Sequence, residues 1–245
     1  MSDAALDILT ARLGATHPST AAAWNNRGMV LAALGRPREA LDAYDRAARG
    51  LPASAGLSDW RRVRLDMNRA EALLAGGDAA LAIDILVSLR TAIESDPSLR
   101  HALRWHGVHA LARLARGEFD AAARSAAAAE DAAASLSGGD TAGSGRAAVA
   151  KGLAAQVAAA RGDGAARAAA LAHADAALRA LDGRLDRAAL TWIERRTALL
   201  AGAGERTAAI AALDQEITAA TAALGADDAR VRRLQAWRAA VADGG

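Results

Sequence analysis

Long stretches of alanine and larger aliphatic residues alternate along this chain with short polar joints. One kind of joint is a glycine followed by a polar residue: Gly35-Arg36-Pro37, Gly77-Asp78, Gly117-Glu118, Gly162-Asp163 and Gly204-Glu205, with 42, 40, 45 and 42 residues between successive glycines. A second kind falls between them, at Gly14, Gly56, Asp96-Pro97-Ser98, Gly138-Gly139, Gly183 and Gly225. Gly14 and Gly225 open similar segments, LGATHPSTA and LGADDARVR, and lie 211 residues apart, which is five periods. Two joint types alternating every ~20 residues are what a string of helical hairpins requires. The pattern predicts helices over 3–13, 19–34, 37–50, 58–75, 78–95, 98–115, 118–136, 143–160, 165–181, 185–201, 205–223 and 227–242. Ser2, Ser58, Ser98 and Asp227 are the expected N-caps, because a short side-chain oxygen can take up orphan amide protons.

Composition sharpens this to a fold class. Hydrophobic residues make up 53% of the chain, aromatics only 3%, and 74 residues are alanine. Alanine favours helix, while the β-branched and aromatic residues that strands use are scarce. The four prolines leave long uninterrupted helices, so the class is all-α. Alanine-rich helices each carry little apolar surface, so stability must come from many close helix–helix contacts. Trp24, Trp60, Trp105, Trp192 and Trp237 each fall in the first helix of a unit, where a tryptophan is expected as a packing wedge. Leu6, Leu9 and Leu13 make one stripe that should pack on helix 19–34. Residues 137–145 form the one flexible-looking joint.

The first full unit reads Trp24, Gly28, Leu31, a turn at Gly35, Ala40, Tyr44, Ala47 and Pro52. This spacing resembles the tetratricopeptide repeat family, and the longer period resembles its 42-residue, kinesin-light-chain variety. The resemblance is close over residues 21–54. The second unit keeps the register at Ala70, Leu73, Gly77, Ala82 and Leu86 without the aromatics, the third puts His106, His109 and Arg113 at packing positions, and the fourth is nearly all alanine. The resemblance implies a right-handed α-solenoid of about five hairpins, a single domain that binds a protein or peptide on its concave face. Its units are expected at 15–56, 57–97, 98–138, 139–183 and 184–225, with 1–14 as the end of a preceding repeat or a capping helix, and 226–245 as a capping helix. Small residues at Gly28, Ala40 and Ala47 let two helices approach, and neighbouring units must stack because no hairpin buries its face alone.

Charge and chemistry narrow the function. The formal charge is +2 and the sequence pI about 9.8, with 28 acidic residues scattered among 30 basic ones. With one lysine and one tyrosine the titration curve is flat above neutrality, so that pI is no footprint of nucleic acid. No cysteine is present, and no uninterrupted apolar run suits a membrane span or a signal peptide. A cytoplasmic location is expected, and the arginine-for-lysine bias suggests a bacterial, GC-rich source. No phosphate-binding loop or HExxH motif occurs, so neither enzyme activity nor a cofactor is expected. His106 and His109, with His101 nearby, are the only candidates for a metal, at i, i+3 on one helix. The candidates for partner binding are first-helix residues: Asn25, Asn26, Met29, Arg64, Asn68 and Arg104. Asparagine can bond a peptide backbone and arginine its carboxylates. With no lysine at the first groove positions, a clamp for a C-terminal carboxylate is disfavoured. The leading expectation is an interaction scaffold; the alternative is a regulatory or sensory segment of a larger bacterial signalling protein.

Overall fold

Each glycine-polar joint ends its helix the same way. Gly35, Gly77, Gly117, Gly162 and Gly204 all have positive φ, between 70° and 92°. The next residue donates its amide back to a carbonyl five residues earlier: Arg36 to Leu31 at 3.0 Å, Asp78 to Leu73 at 2.8 Å, Glu118 to Arg113 at 2.9 Å, Asp163 to Ala158 at 3.0 Å and Glu205 to Leu200 at 2.9 Å. Glycine alone reaches this left-handed angle without steric cost, and the reversal satisfies carbonyls the helix end leaves orphaned. The regular spacing in the sequence is therefore a regular repetition of one stop.

In the computed structural model the described residues are 3–51, 56, 59–96, 101–136, 145–183 and 185–243. Among them are twelve helices and no strand: α1 (Asp3–Leu13), α2 (Pro18–Ala33), α3 (Pro37–Ala48), α4 (Trp60–Ala75), α5 (Ala79–Glu94), α6 (Ala102–Ala115), α7 (Phe119–Leu136), α8 (Gly145–Ala160), α9 (Gly164–Arg179), α10 (Arg187–Gly202), α11 (Arg206–Leu224) and α12 (Ala229–Asp243). The fold class is all-α, as the joint pattern predicts. Two of the predicted caps move by one residue. Asp59 caps α4 by accepting the Arg61 amide at 2.9 Å, and Asp228, rather than Asp227, accepts the Arg230 amide at 2.8 Å. Helix α2 is capped by His17, whose Nδ1 accepts the Ser19 amide at 3.1 Å. Ser2, Ser98 and the joint at 137–144 lie outside the described residues.

The chain divides into two compact units, Met1–Glu118 and Phe119–Gly245, with the boundary inside the stretch 98–138. In the first unit each helix packs on its neighbour in sequence, from α1 through α6, and α4 also touches the first helices on either side of it, α2 and α6. Two layers result, α2, α4 and α6 in one and α3 and α5 in the other. Between α2 and α3 a Cβ on Gly28 would overlap the Tyr44 ring, so glycine is what lets the aromatic seat. Around that contact lie Leu31, Ala40, Ala43, Ala47, Leu65 and Ala72. Helix α1 contributes a buried Leu6, while Leu13, expected on the same stripe, is 44% exposed.

The second unit uses the same principle with a different aromatic. Trp192 of α10 is fully buried, and a Cβ on Gly152 of α8 would overlap its six-membered ring. The alanine-rich α8 therefore comes close to α10 and packs along much of it. The core around it includes Ala148, Ala155, Leu178, Leu185, Ile193, Leu213, Val231 and Leu234.

Candidate first-helix interaction face

Of the six residues expected to bind a partner, three form one network across successive first helices. Asn68 of α4 donates its amide to Asn25 Oδ1 of α2 at 2.8 Å. Arg104 of α6 donates to Asn68 Oδ1 at 2.7 Å and, through Nε and Nη2, to both Glu71 carboxylate oxygens at 2.7 Å. Asn25 and Asn68 are buried between helices rather than open on the groove surface. They sit in the α2–α4 seam because a 43-residue separation puts them at matching positions of adjacent first helices. A buried amide in such a seam must find a polar partner, and here it finds its counterpart. Burial penalises the Arg104 charge, and the paired bonds to Glu71 more than offset it, holding the guanidinium above its ordinary range. Tyr44 is pushed up to about 12 by burial and by the nearby Glu71 charge.

The other three candidates are more open. Asn26 and Met29 are exposed on α2. Arg64 lies with its guanidinium carbon 4.9 Å from the centre of the Trp60 ring. Trp60 is 55% exposed, so it is no packing wedge, unlike the buried Trp105 and Trp192. Trp24 and Trp237 are half-buried, each beneath an arginine, Arg46 at 4.5 Å and Arg233 at 4.6 Å.

Residues 1–53 match the family model for the tetratricopeptide repeat. The matched stretch takes in α1, α2 and α3, with Gly28, Tyr44 and Asn25 among its residues. No curated protein matches the chain. Tetratricopeptide repeats generally mediate protein–protein interaction. Among the described residues no helix is long and apolar enough to cross a membrane.

His106 and His109 both pack on Trp105. His109 stacks on Trp105 with ring centroids 4.9 Å apart, and His106 meets the same indole edge-on at 4.9 Å. The Trp105 N–H donates to the Leu86 carbonyl at 2.8 Å, fixing the ring against α5. His109 Nε2 accepts from Arg113 Nε at 3.2 Å, and burial together with the Arg113 charge pushes the imidazole down to about 4. Among the described residues no group of three metal-ligating side chains comes together.

Sequence reasoning missed a buried ion triad in the second unit. Arg196 of α10 is 3% exposed, donates to Asp175 of α9 at 2.7 Å and reaches Glu216 of α11 at 3.3 Å. Burial raises the Glu216 pKa despite the opposing pull of Arg196. The only sequence signal was an arginine two residues from a run of apolar positions, which does not distinguish a core arginine from a surface one.

Proposed function

We propose that the layer formed by α2, α4 and α6 binds an extended peptide segment of a protein partner, and that the chain works as a non-enzymatic scaffold of the 42-residue tetratricopeptide type. The Asn25–Asn68–Arg104–Glu71 network is the observation that carries this reading. It ties three successive first helices together by polar bonds along one face, leaving Asn26, Met29 and the outer edge of the Arg104–Glu71 pair open to a ligand. Regular donors and acceptors on neighbouring helices suit the repeating amides of an extended chain.

Random dodecapeptides selected on the full chain supply the ligand for the test. Bound peptide should slow amide hydrogen exchange in α2, α4 and α6, and Asn26→Ala combined with Arg104→Ala should weaken binding tenfold or more, since charge-assisted bonds contribute about 1.5–3 kcal/mol each. Protection confined to α3 and α5, with the double variant binding as wild type, would transfer the working surface to the opposite layer.

A further inference from the structure

The arginines of α4 are matched with carboxylates, with one exception. Arg61 bonds Asp59 at 2.7 Å, Arg62 bonds Asp66 at 2.5 Å, and Arg69 pairs with Asp45 at 3.0 Å. Among the described residues Arg64 has no ion-pair partner; its only charge-related contact is the Trp60 ring. The stretch 52–58 that precedes the helix contains no acidic residue. The Arg64 Nε has no acceptor, as is also true of Nε on Arg69 and Arg196, but those two arginines have carboxylate partners. A permanent cation on a cleft wall, with no carboxylate beside it, is the arrangement that an incoming anion completes.

Arg64 lines a cleft between the first turns of α2 and α4, with Ala21, Ala22, Asn25, Leu51 and Leu65 among its other walls. Asn25 brings a second donor. Its oxygen is taken by Asn68, while its amide nitrogen has only the Met29 sulfur, 3.7 Å away and a weak acceptor. The side chain is 5% exposed, so the second donor is held rigidly in place. The cleft therefore combines one uncompensated positive charge, one underused amide and walls of methyl groups.

We propose that this cleft receives a single acidic side chain, Asp or Glu, of the extended peptide; the inference rests on the peptide-binding reading above. The charge count selects the ligand. Arg61 is neutralised by Asp59, so a monoanion balances Arg64, whereas a phosphate dianion would leave one negative charge unmatched against apolar walls. A carboxylate on a short aliphatic stem fits both halves of the lining. The Asn25 side chain belongs to the cleft and to the polar network alike, so the acidic residue sits in register with the backbone bonded farther along α4 and α6.

The test uses the full chain and dodecapeptides displayed with their C-termini anchored, so that any recognised carboxylate is a side chain. Enriched peptides should share Asp or Glu at one position. With a labelled synthetic copy, changing that residue to its amide, or Arg64→Gln in the protein, should each weaken binding about tenfold, and the two together no further. Arg64→Lys should recover part of the loss, and Arg64→Gln should melt at the wild-type temperature. Additive losses, or enriched peptides without the acid, overturn the cleft assignment and leave the groove reading standing. Tighter binding of a phosphoserine copy overturns the choice of carboxylate. If no peptide is enriched, or none responds to the Asn26 and Arg104 variants, the groove reading fails and this inference with it.

Discussion

Two of the glycines at close helix approaches are each matched to one ring. Gly28 admits Tyr44 and Gly152 admits Trp192, and at both positions even a methyl group would overlap the aromatic. Gly28→Leu should destabilise the first unit by about 1–3 kcal/mol, the usual cost of overpacking a tight contact. Arg36→Ala, on an exposed turn where Arg36 pairs only with exposed Glu39, should stay within about 0.5 kcal/mol. Urea melts that rank these two in the opposite order would show the Gly28–Tyr44 contact to be yielding. At the same scale His109 makes stability depend on pH. Its folded-state pKa, about 4, lies below the ordinary 6.5, so the unfolded chain binds the proton more readily. The contribution is fully present above pH 6.5 and is lost as pH falls toward 4. Melts at pH 7 and pH 5 should differ more for wild type than for His109→Gln; equal differences would place His109 in solvent.

At the scale of elements, polar side chains in the seams decide which neighbours a helix keeps. The Asp175–Arg196–Glu216 triad joins α9, α10 and α11, and Arg196 is its only cation. Arg196→Leu should cost about 3–5 kcal/mol, because two carboxylates lose their partner inside the protein, while replacing all three residues with leucine should recover most of that loss. Equal urea midpoints for the single variant and wild type would mean the triad is open to water. In the first unit α1 covers α2 through Leu6. Deleting residues 1–14 should lower the melting temperature and raise dye binding to the uncovered apolar face, and an unchanged melt would remove α1 from the packed structure.

At the scale of the whole molecule, each unit has its own core, around Tyr44 in one and Trp192 in the other. Helical repeats gain stability mainly from nearest neighbours, so damage in one region spreads only gradually. Gly152→Leu should therefore accelerate hydrogen exchange in α8 through α12 and leave amides of α2 through α5 near their wild-type rates. Uniform acceleration along the chain would instead mark the two units as one cooperative block.

The local stops were legible in the sequence, because a glycine at positive φ followed by a returning amide is a property of five or six consecutive residues. Alanine content and the recurrence of those stops determined the helices, their order and the all-α class. That Gly28 lets the helices of its hairpin approach could also be read, but that it seats Tyr44 came only with the structure. What the sequence could not determine was which polar residues the seams would bury. Asn25 and Asn68 read as groove donors and became partners of each other, and Trp60 read as a wedge and lies in the open. Arg196 was indistinguishable from the surface arginines. Whether a side chain on a first helix faces solvent, a cleft or a neighbour depends on how that helix is rotated against the helices before and after it. That rotation is decided by packing between residues some 40 positions apart, such as Asn25 with Asn68 and Gly152 with Trp192. Only the tertiary structure carries it, and with it the one arginine of α4 left without a carboxylate.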